Sequence, residues 1–291
     1  MSRVAYVNGR YLPHSKAHVH IDDRAHNFAD GVYEVILIVG GRMVDEEGHM
    51  VRLARSLREL DMVPPMSDRA LLNVMYQTVA RNRVQEGLVY LQINRGTSPR
   101  NHVYDNDKLI PTVVCTAKTV ALPSDPENVA GVKVITRPDN RWERVDIKTV
   151  SLLPNAMAKT AAMREGAYEA WFVDKDGFVT ECTSSNAWII DQEGRLVTRP
   201  LAGLDILPGI TRDRVIKLAR ENDIEVVERA FSVEEALGAR EAFLTSTTSF
   251  VKPITQIDDS VIGNGHPGTT TRTLLAAYLE FAQNIALENA A

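Results

Sequence analysis

Residues 122–128 read Leu122-Pro123-Ser124-Asp125-Pro126-Glu127-Asn128. This polar stretch, broken by two prolines, has the composition of a linker between separately packed cores. It divides the chain into a first domain, 1–121, a linker, 122–129, and a second domain, 130–291. Before it, Val4-Ala5-Tyr6-Val7 runs into Asn8-Gly9, a hairpin signal. Val32 to Val39 is a β-branched run that Gly40-Gly41 turns back into Met43-Val44. Met50, Leu53, Leu57 and Leu60 then fall on one helical stripe, with Arg52, Arg55 and Arg58 largely off it. A second helix is expected from Ser67 to Gln85, and strands at Leu88–Asn94 and Pro111–Lys118.

Beyond the linker the pattern restarts. Strands are expected at Val132–Thr136, Asn186–Ile190, Glu225–Glu228 and Ala242–Leu244. Ala170–Val173 and Phe178–Thr180 flank the turn Asp174-Lys175-Asp176-Gly177 as a hairpin. Helices are expected at Asn155–Glu165, Ile210–Glu221 and from about Thr269 to Ala286. The sum is an α+β chain of two domains.

The bulk properties narrow the function. The chain has 291 residues, 44% of them hydrophobic and 24% charged, as in an ordinary globular protein. Thirty-three Lys and Arg against 38 Asp and Glu leave a net charge of −5, which offers no basic footprint for nucleic acid. Cys115 and Cys182 form no CxxC pair, so neither a disulfide framework nor a four-thiolate zinc site is expected. The opening MSRVAYVNGRYLP lacks the apolar core of a signal peptide, and no apolar run is long enough to span a bilayer. A reducing cytoplasm is the expected compartment.

Several stretches carry candidate chemistry, and each has a plainer reading. His14, His18, His20 and His26, with Asp22 and Asp23, resemble a metal set, yet alternating histidines fit an exposed strand face and no HExxH or distal partner exists. No metal is expected. Lys148, among Ile147, Val150 and Leu152, is either a snorkelling surface lysine or an amine suited to a Schiff base. Glu181, ahead of Thr183-Ser184-Ser185-Asn186, opens a plain turn or is a buried acid that holds a proton on a ring nitrogen. Leu207-Pro208-Gly209-Ile210-Thr211-Arg212 opens a helix whose first N–H groups suit phosphate or simply need capping. Thr245-Ser246-Thr247-Thr248-Ser249 offers further donors or a polar edge. Arg95-Gly96-Thr97-Ser98-Pro99-Arg100-Asn101-His102 is a solvated basic loop or an anion trap. Taken together, a Schiff-base lysine, an acid for a pyridine nitrogen and a phosphate cradle are the needs of one cofactor, pyridoxal 5'-phosphate (PLP).

With these motifs in this order, the chain resembles the class IV aminotransferases, PLP enzymes of fold type IV, and within them the bacterial D-amino-acid transaminases. The markers are Asp22-Asp23-Arg24 with Phe28-Ala29-Asp30-Gly31-Val32-Tyr33-Glu34-Val35, then Arg52, RGTSPRNH at 95–102, Arg141-Trp142, Asp146-Ile147-Lys148, Leu152-Leu153-Pro154-Asn155, Thr180-Glu181 with Ser184-Ser185-Asn186, Gly209-Ile210-Thr211-Arg212 and Thr245-Ser246-Thr247-Thr248. The resemblance implies a smaller N-terminal α/β domain and a larger, β-barrel-like C-terminal PLP-binding domain.

It also implies roles. Lys148 is to bond the cofactor and move the substrate's α-proton, Glu181 to keep the pyridine nitrogen protonated, and Arg52 to pair with the phosphate. Ile210 and Thr211, with Ser246 and Thr247, complete the phosphate cup, and Leu207 packs under the ring. Tyr33 serves the reacting face near Lys148. Arg100 and His102, helped by Tyr33, hold the substrate α-carboxylate, which selects D over L. The implied activity moves an amino group between D-amino acids (D-alanine, D-glutamate) and 2-oxo acids (2-oxoglutarate, pyruvate). The implied assembly is a homodimer in which Arg100 and His102 serve the neighbouring subunit. A branched-chain L-amino-acid transaminase, an aminodeoxychorismate lyase and an R-selective amine transaminase are alternatives on the same fold, separated by RGTSPRNH. The chain departs from the family's pattern at Ala25, Ala29 and Cys182, each an added side chain where glycine is common.

Overall fold

A computed structural model describes residues 3–123 and 125–288. Ser124 of the expected linker and residues 289–291 of the expected second domain lie outside the described residues. The chain forms two compact units. The first comprises Met1–Leu122, Ile147–Ser151 and Ala282–Ala291; the second comprises Pro123–Asp146 and Leu152–Phe281. The expected second domain, 130–291, is one uninterrupted run. The units are instead interleaved, and the short segment that carries Lys148 belongs with the first.

The first unit contains β1 (Val4–Val7), β2 (Arg10–Pro13), α1 (Arg24–Phe28), β3 (Gly31–Val39), β4 (Arg42–Met43), α2 (Glu46–Glu59), α3 (Asp68–Asn82), β5 (Gly87–Asn94) and β6 (Thr112–Thr119). Its sheet is antiparallel throughout, in the order β2-β1-β6-β5-β3-β4. Asn8 (φ 43°) and Gly9 (φ 87°) make the first hairpin, as the Asn-Gly signal predicts. The stripe of α2 packs as expected: Leu53 and Leu57 join Ile36 and Ile38 of β3, Leu71 and Met75 of α3, and Val89 and Leu91 of β5 in one core. Each such side chain contributes roughly 2 kcal/mol by leaving water. Arg52 departs from the expectation that the arginines lie off this stripe. It is buried, because an acid on β3 neutralises it.

The second unit contains β7 (Val132–Pro138), α4 (Leu153–Arg164), β8 (Glu169–Val173), β9 (Val179–Cys182), β10 (Asn186–Ile190), β11 (Leu196–Thr198), α5 (Ile210–Glu221), β12 (Val226–Glu228), α6 (Val233–Leu237), β13 (Glu241–Ser246), β14 (Phe250–Ile257), β15 (Ser260–Val261) and the start of α7 (Thr269–Glu288). The sheet order is β12-β11-β10-β13-β14-β7-β8-β9, with β15 on β14. The far strand β9 folds back towards β10, where the Cys182 N–H donates to the Ser185 carbonyl at 2.8 Å, so the sheet curls into a half-barrel. Trp171 and Phe231 pack on one face with Ile189 and Leu244, Phe172 lies on the other against Ala158 and Ala162 of α4, and Trp188 stacks on Phe243; all five aromatics are fully buried. Cys182 belongs to this core, packed with Val134 and Trp171.

Strand β14 went unread in the sequence because Pro253 interrupts it. The strand tolerates proline there because β7 joins its other edge only from Ile254. Helix α1 is too short to show a period. It is stopped by Ala29 at φ 55°, a left-handed position where glycine is unstrained.

Candidate functional site

In the first unit the site is built on β3. Alternation along the strand sends Glu34 towards α2 and Tyr33 to the opposite face. Glu34 Oε1 accepts from Arg52 Nε at 2.9 Å and Oε2 from Arg52 Nη2 at 2.7 Å, a fork-on-carboxylate pair. His49, one turn before Arg52, places Nδ1 at 2.7 Å from the same Oε2. Burial alone would push the Glu34 carboxyl up; the Arg52 guanidinium and the His49 ring outweigh it and hold it at about 2. Burial pushes His49 down, against the pull of Glu34.

Both shifts have the same sign for stability. A carboxyl at about 2 when folded, against an ordinary 4.5, gives stability that is complete above pH 4.5 and drains away towards pH 2. The buried neutral His49 adds loss that begins as pH falls below its ordinary 6.5. The Glu34 share amounts to about 3 kcal/mol. Urea unfolding between pH 6 and pH 3 should therefore show a clearly shallower pH dependence for Glu34→Gln than for the parent; equal slopes would overturn this account.

Lys148 is not on a strand. It lies in a loop laid against the start of β3: Tyr33 N–H donates to the Lys148 carbonyl at 3.1 Å, Val150 N–H to the Gly31 carbonyl at 3.0 Å, and Thr149 bridges Val32. Ile147 anchors this loop in the core, and the Lys148 N–H reaches Ser56 Oγ of α2 at 3.3 Å. The Lys148 amine lies 4.4 Å from the centroid of the Tyr33 ring, so both face the same space. Tyr33 stacks on Tyr90, with centroids 5.6 Å apart, and burial pushes Tyr90 up to about 12.

The loop 95–102 follows β5. Arg100 and His102 are exposed, and each lies 5.3 Å from the ring of Phe28. Two other arginines around the loop, Arg24 and Arg95, are buried and share Asp30. Among the described residues no carboxylate pairs with Arg100.

In the second unit the centre is Glu181 on β9, nearly buried. Its Oε2 accepts from the Leu207 N–H at 3.1 Å and from Asn186 Nδ2 at 3.3 Å, and its Oε1 takes Arg141 Nη1. Arg141 is held in turn by Asp139 at 2.6 Å. Burial pushes the Glu181 carboxyl up, and Arg141 pulls it the other way. Asn186 joins the parts. Its Nδ2 also donates to the Leu207 carbonyl at 3.0 Å, and its backbone pairs with Thr245 next to Ser246. Gly209 must be glycine, because a Cβ there would lie 2.0 Å from Asn186 Oδ1. Helix α5 therefore starts hard against Asn186, and no side chain caps it.

The structure thus joins Glu181 and Leu207 directly, with Ile210 and Thr211 opening the helix after Gly209 and Ser246 and Thr247 following the Asn186–Thr245 pair, all in the second unit; Tyr33, Arg52 and Lys148 lie in the first, where Arg100 and His102 stand on their own loop. Sequence reasoning missed the partners that hold these groups: Glu34, His49 and Ser56 around Arg52 and Lys148, and Glu169 beneath the turn after Glu181. The Glu169 carboxylate, fully buried, accepts from Thr183 Oγ1 (2.8 Å), Ser184 N–H (2.7 Å) and Oγ (2.6 Å), and Ser185 Oγ (2.9 Å). The one available signal was an acid inside an apolar strand, at both Glu34 and Glu169. The N-terminal histidines make no such constellation; among the described residues no three His, Cys, Asp or Glu converge as a metal set.

A family model described as amino-transferase class IV matches residues 31–257. The D-alanine aminotransferase of Bacillus licheniformis is 40% identical over 270 residues, covering 93% of this chain and 94% of that protein. That of Staphylococcus haemolyticus is 33% identical over 280 residues, covering 96% and 98%. Among solved structures, the branched-chain amino acid aminotransferase from Escherichia coli superposes with a TM-score of 0.88 at 23% identity, covering 98% of this chain and 95% of that one. At that identity the likeness concerns the fold.

Proposed function

Because this chain belongs to the amino-transferase class IV family, we propose that it is a D-amino-acid transaminase working with PLP. It moves the amino group of D-alanine or D-glutamate to 2-oxoglutarate or pyruvate in two half-reactions. When bound, PLP supplies the aldehyde that takes up the amino group and the ring that accepts the electron pair left when the α-proton departs. Each unit offers donor types that group needs: the first a primary amine, the second a buried carboxylate for a ring N–H and an uncapped helix start for a phosphate.

The residues then divide the work. Lys148 would hold the cofactor through its amine and, once free, would move the proton at the substrate Cα. Tyr33 borders that space and aligns the lysine. Glu181 keeps the proton on the ring nitrogen, and Arg141, Asn186 and the Leu207 N–H keep Glu181 in place. Leu207 would support the ring beside the carboxylate that its N–H holds. Ile210, Thr211, Ser246 and Thr247 donate to the phosphate, and Arg52, preset by Glu34, adds charge. Arg100 and His102 grip the α-carboxylate and so choose which hydrogen of the Cα faces Lys148.

The observation that carries the D reading is Arg100, which among the described residues pairs with no carboxylate, beside two arginines that are both bound to Asp30. Ile21 (74% exposed), Val103 (76%) and Ile110 (85%) flank the same loop, and we assign their cover to a second copy of this chain. Buried free thiols at Cys115 and Cys182 suit the expected reducing cytoplasm.

An absorbance spectrum taken with D-alanine, and separately with L-alanine or L-leucine, tests the reading. A visible cofactor band that converts with D-alanine alone supports it. Conversion by the L-amino acids instead would overturn it in favour of the branched-chain L-transaminase alternative.

A further inference from the structure

The loop that carries Arg100 and His102 has little of its own to hold it. Its 100–105 stretch forms no helix or strand, and its side chains are exposed. What fixes it is α1. Arg24, the first residue of that helix, is 3% exposed. Its Nη1 donates to the Asn101 carbonyl at 2.7 Å and its Nη2 to the His102 carbonyl at 3.2 Å. Its Nε donates to Asp30 Oδ2 at 2.8 Å. One guanidinium thus ties two successive loop carbonyls to a carboxylate just beyond the end of α1.

The other contacts reinforce this geometry. Arg95 Nε binds both oxygens of Asp30, at 3.0 and 2.9 Å, which sets the carboxylate plane. Arg95 also lies 3.7 Å from the Tyr104 ring centroid, just past His102. Phe28, one helical turn after Arg24, presents its ring to Arg24 (4.8 Å), to Arg100 (5.3 Å) and to His102 (5.3 Å). Helix α1 therefore grips the loop twice, by its main chain through Arg24 and by its two functional side chains through Phe28.

We propose that Arg24 is a positioning residue for substrate specificity: it holds the 101–102 main chain so that Arg100 and His102 present themselves together to the α-carboxylate. This rests on the assignment of Arg100 and His102 to that carboxylate. Arg24 touches neither substrate nor cofactor in this scheme. Lysine cannot replace it, because a single ammonium on a flexible stem has no planar fork to span two carbonyls and a carboxylate at once.

The test is Arg24→Lys in the holoenzyme, with two readouts. KM for D-alanine should rise about tenfold or more while kcat stays within about threefold and the cofactor band is unchanged, the mark of lost binding rather than lost chemistry. Hydrogen exchange of the 100–104 amides, which needs no turnover, should speed up while β5 and α2 keep parent rates. Should Arg24→Lys not fold, Arg24→Gln keeps a planar amide that can reach one of the two carbonyls and leaves Asp30 paired with Arg95; the same two shifts are expected. Unchanged KM and unchanged loop exchange in an active parent would overturn the inference. A parallel fall of kcat, cofactor band and thermal stability would do the same, since it would mark Arg24 as merely structural. If the parent itself ignores D-alanine, the functional reading fails first, and loop exchange still reports whether Arg24 holds the loop.

Discussion

Lys148→Ala protein incubated with excess PLP and dialysed will show no visible cofactor band, and its transaminase rate will fall by a factor on the order of 10^4. The amine has two duties in the proposed scheme, so its loss removes both covalent attachment and proton transfer. The local fold should survive. Lys148 is fixed through its backbone, by Tyr33, Ser56 and the Ile147 anchor, and its side chain is not part of the core. Lys252 is the instructive competitor, because burial lowers its pKa, a property shared by many Schiff-base lysines. A band that persists in Lys148→Ala and vanishes in Lys252→Ala would transfer the role to Lys252.

Arg100→Ala should reduce kcat/KM for D-alanine by about two to three orders of magnitude, the loss expected for one charge-assisted fork on a carboxylate. The cofactor band should remain at parent strength. Arg100 is exposed, lies against Phe28 and among the described residues pairs with no carboxylate, so its removal leaves no buried charge unpaired. The contrast with Glu34 is informative. There, truncation would strand the buried Arg52 guanidinium, and cofactor binding, stability and activity would fall together. If Arg100→Ala lost cofactor and activity in equal measure, the carboxylate role would be wrong.

Local features were legible from residues alone. The Asn8-Gly9 hairpin, the strand at Asn186–Ile190 and the helix at Ile210–Glu221 stand where turn chemistry and periodicity put them, because each is decided by a few neighbouring residues. The same holds for the uncapped start of α5, where the Pro-Gly pair ahead of Ile210 offers no side-chain oxygen as a cap. The types of group at the site were legible too: an amine, an acid, hydroxyls and a forked cation follow from the residues themselves.

The partners of those groups were not legible, because they are remote in sequence and joined by packing. Glu34 meets Arg52 only when α2 lies across β3, and nothing in either segment names the other. Asn186 gathers Glu181, Leu207 and Gly209 only once β10 has paired with β13 and α5 has packed beside it. Lys148 follows the apparent domain boundary by more than twenty residues, yet a bridge from Thr149 to Val32 returns it to the first unit. The residues thus declared the chemistry. Which charges are neutralised and which unit holds the lysine depended on long-range strand pairing and on the requirement that every buried charge find a partner.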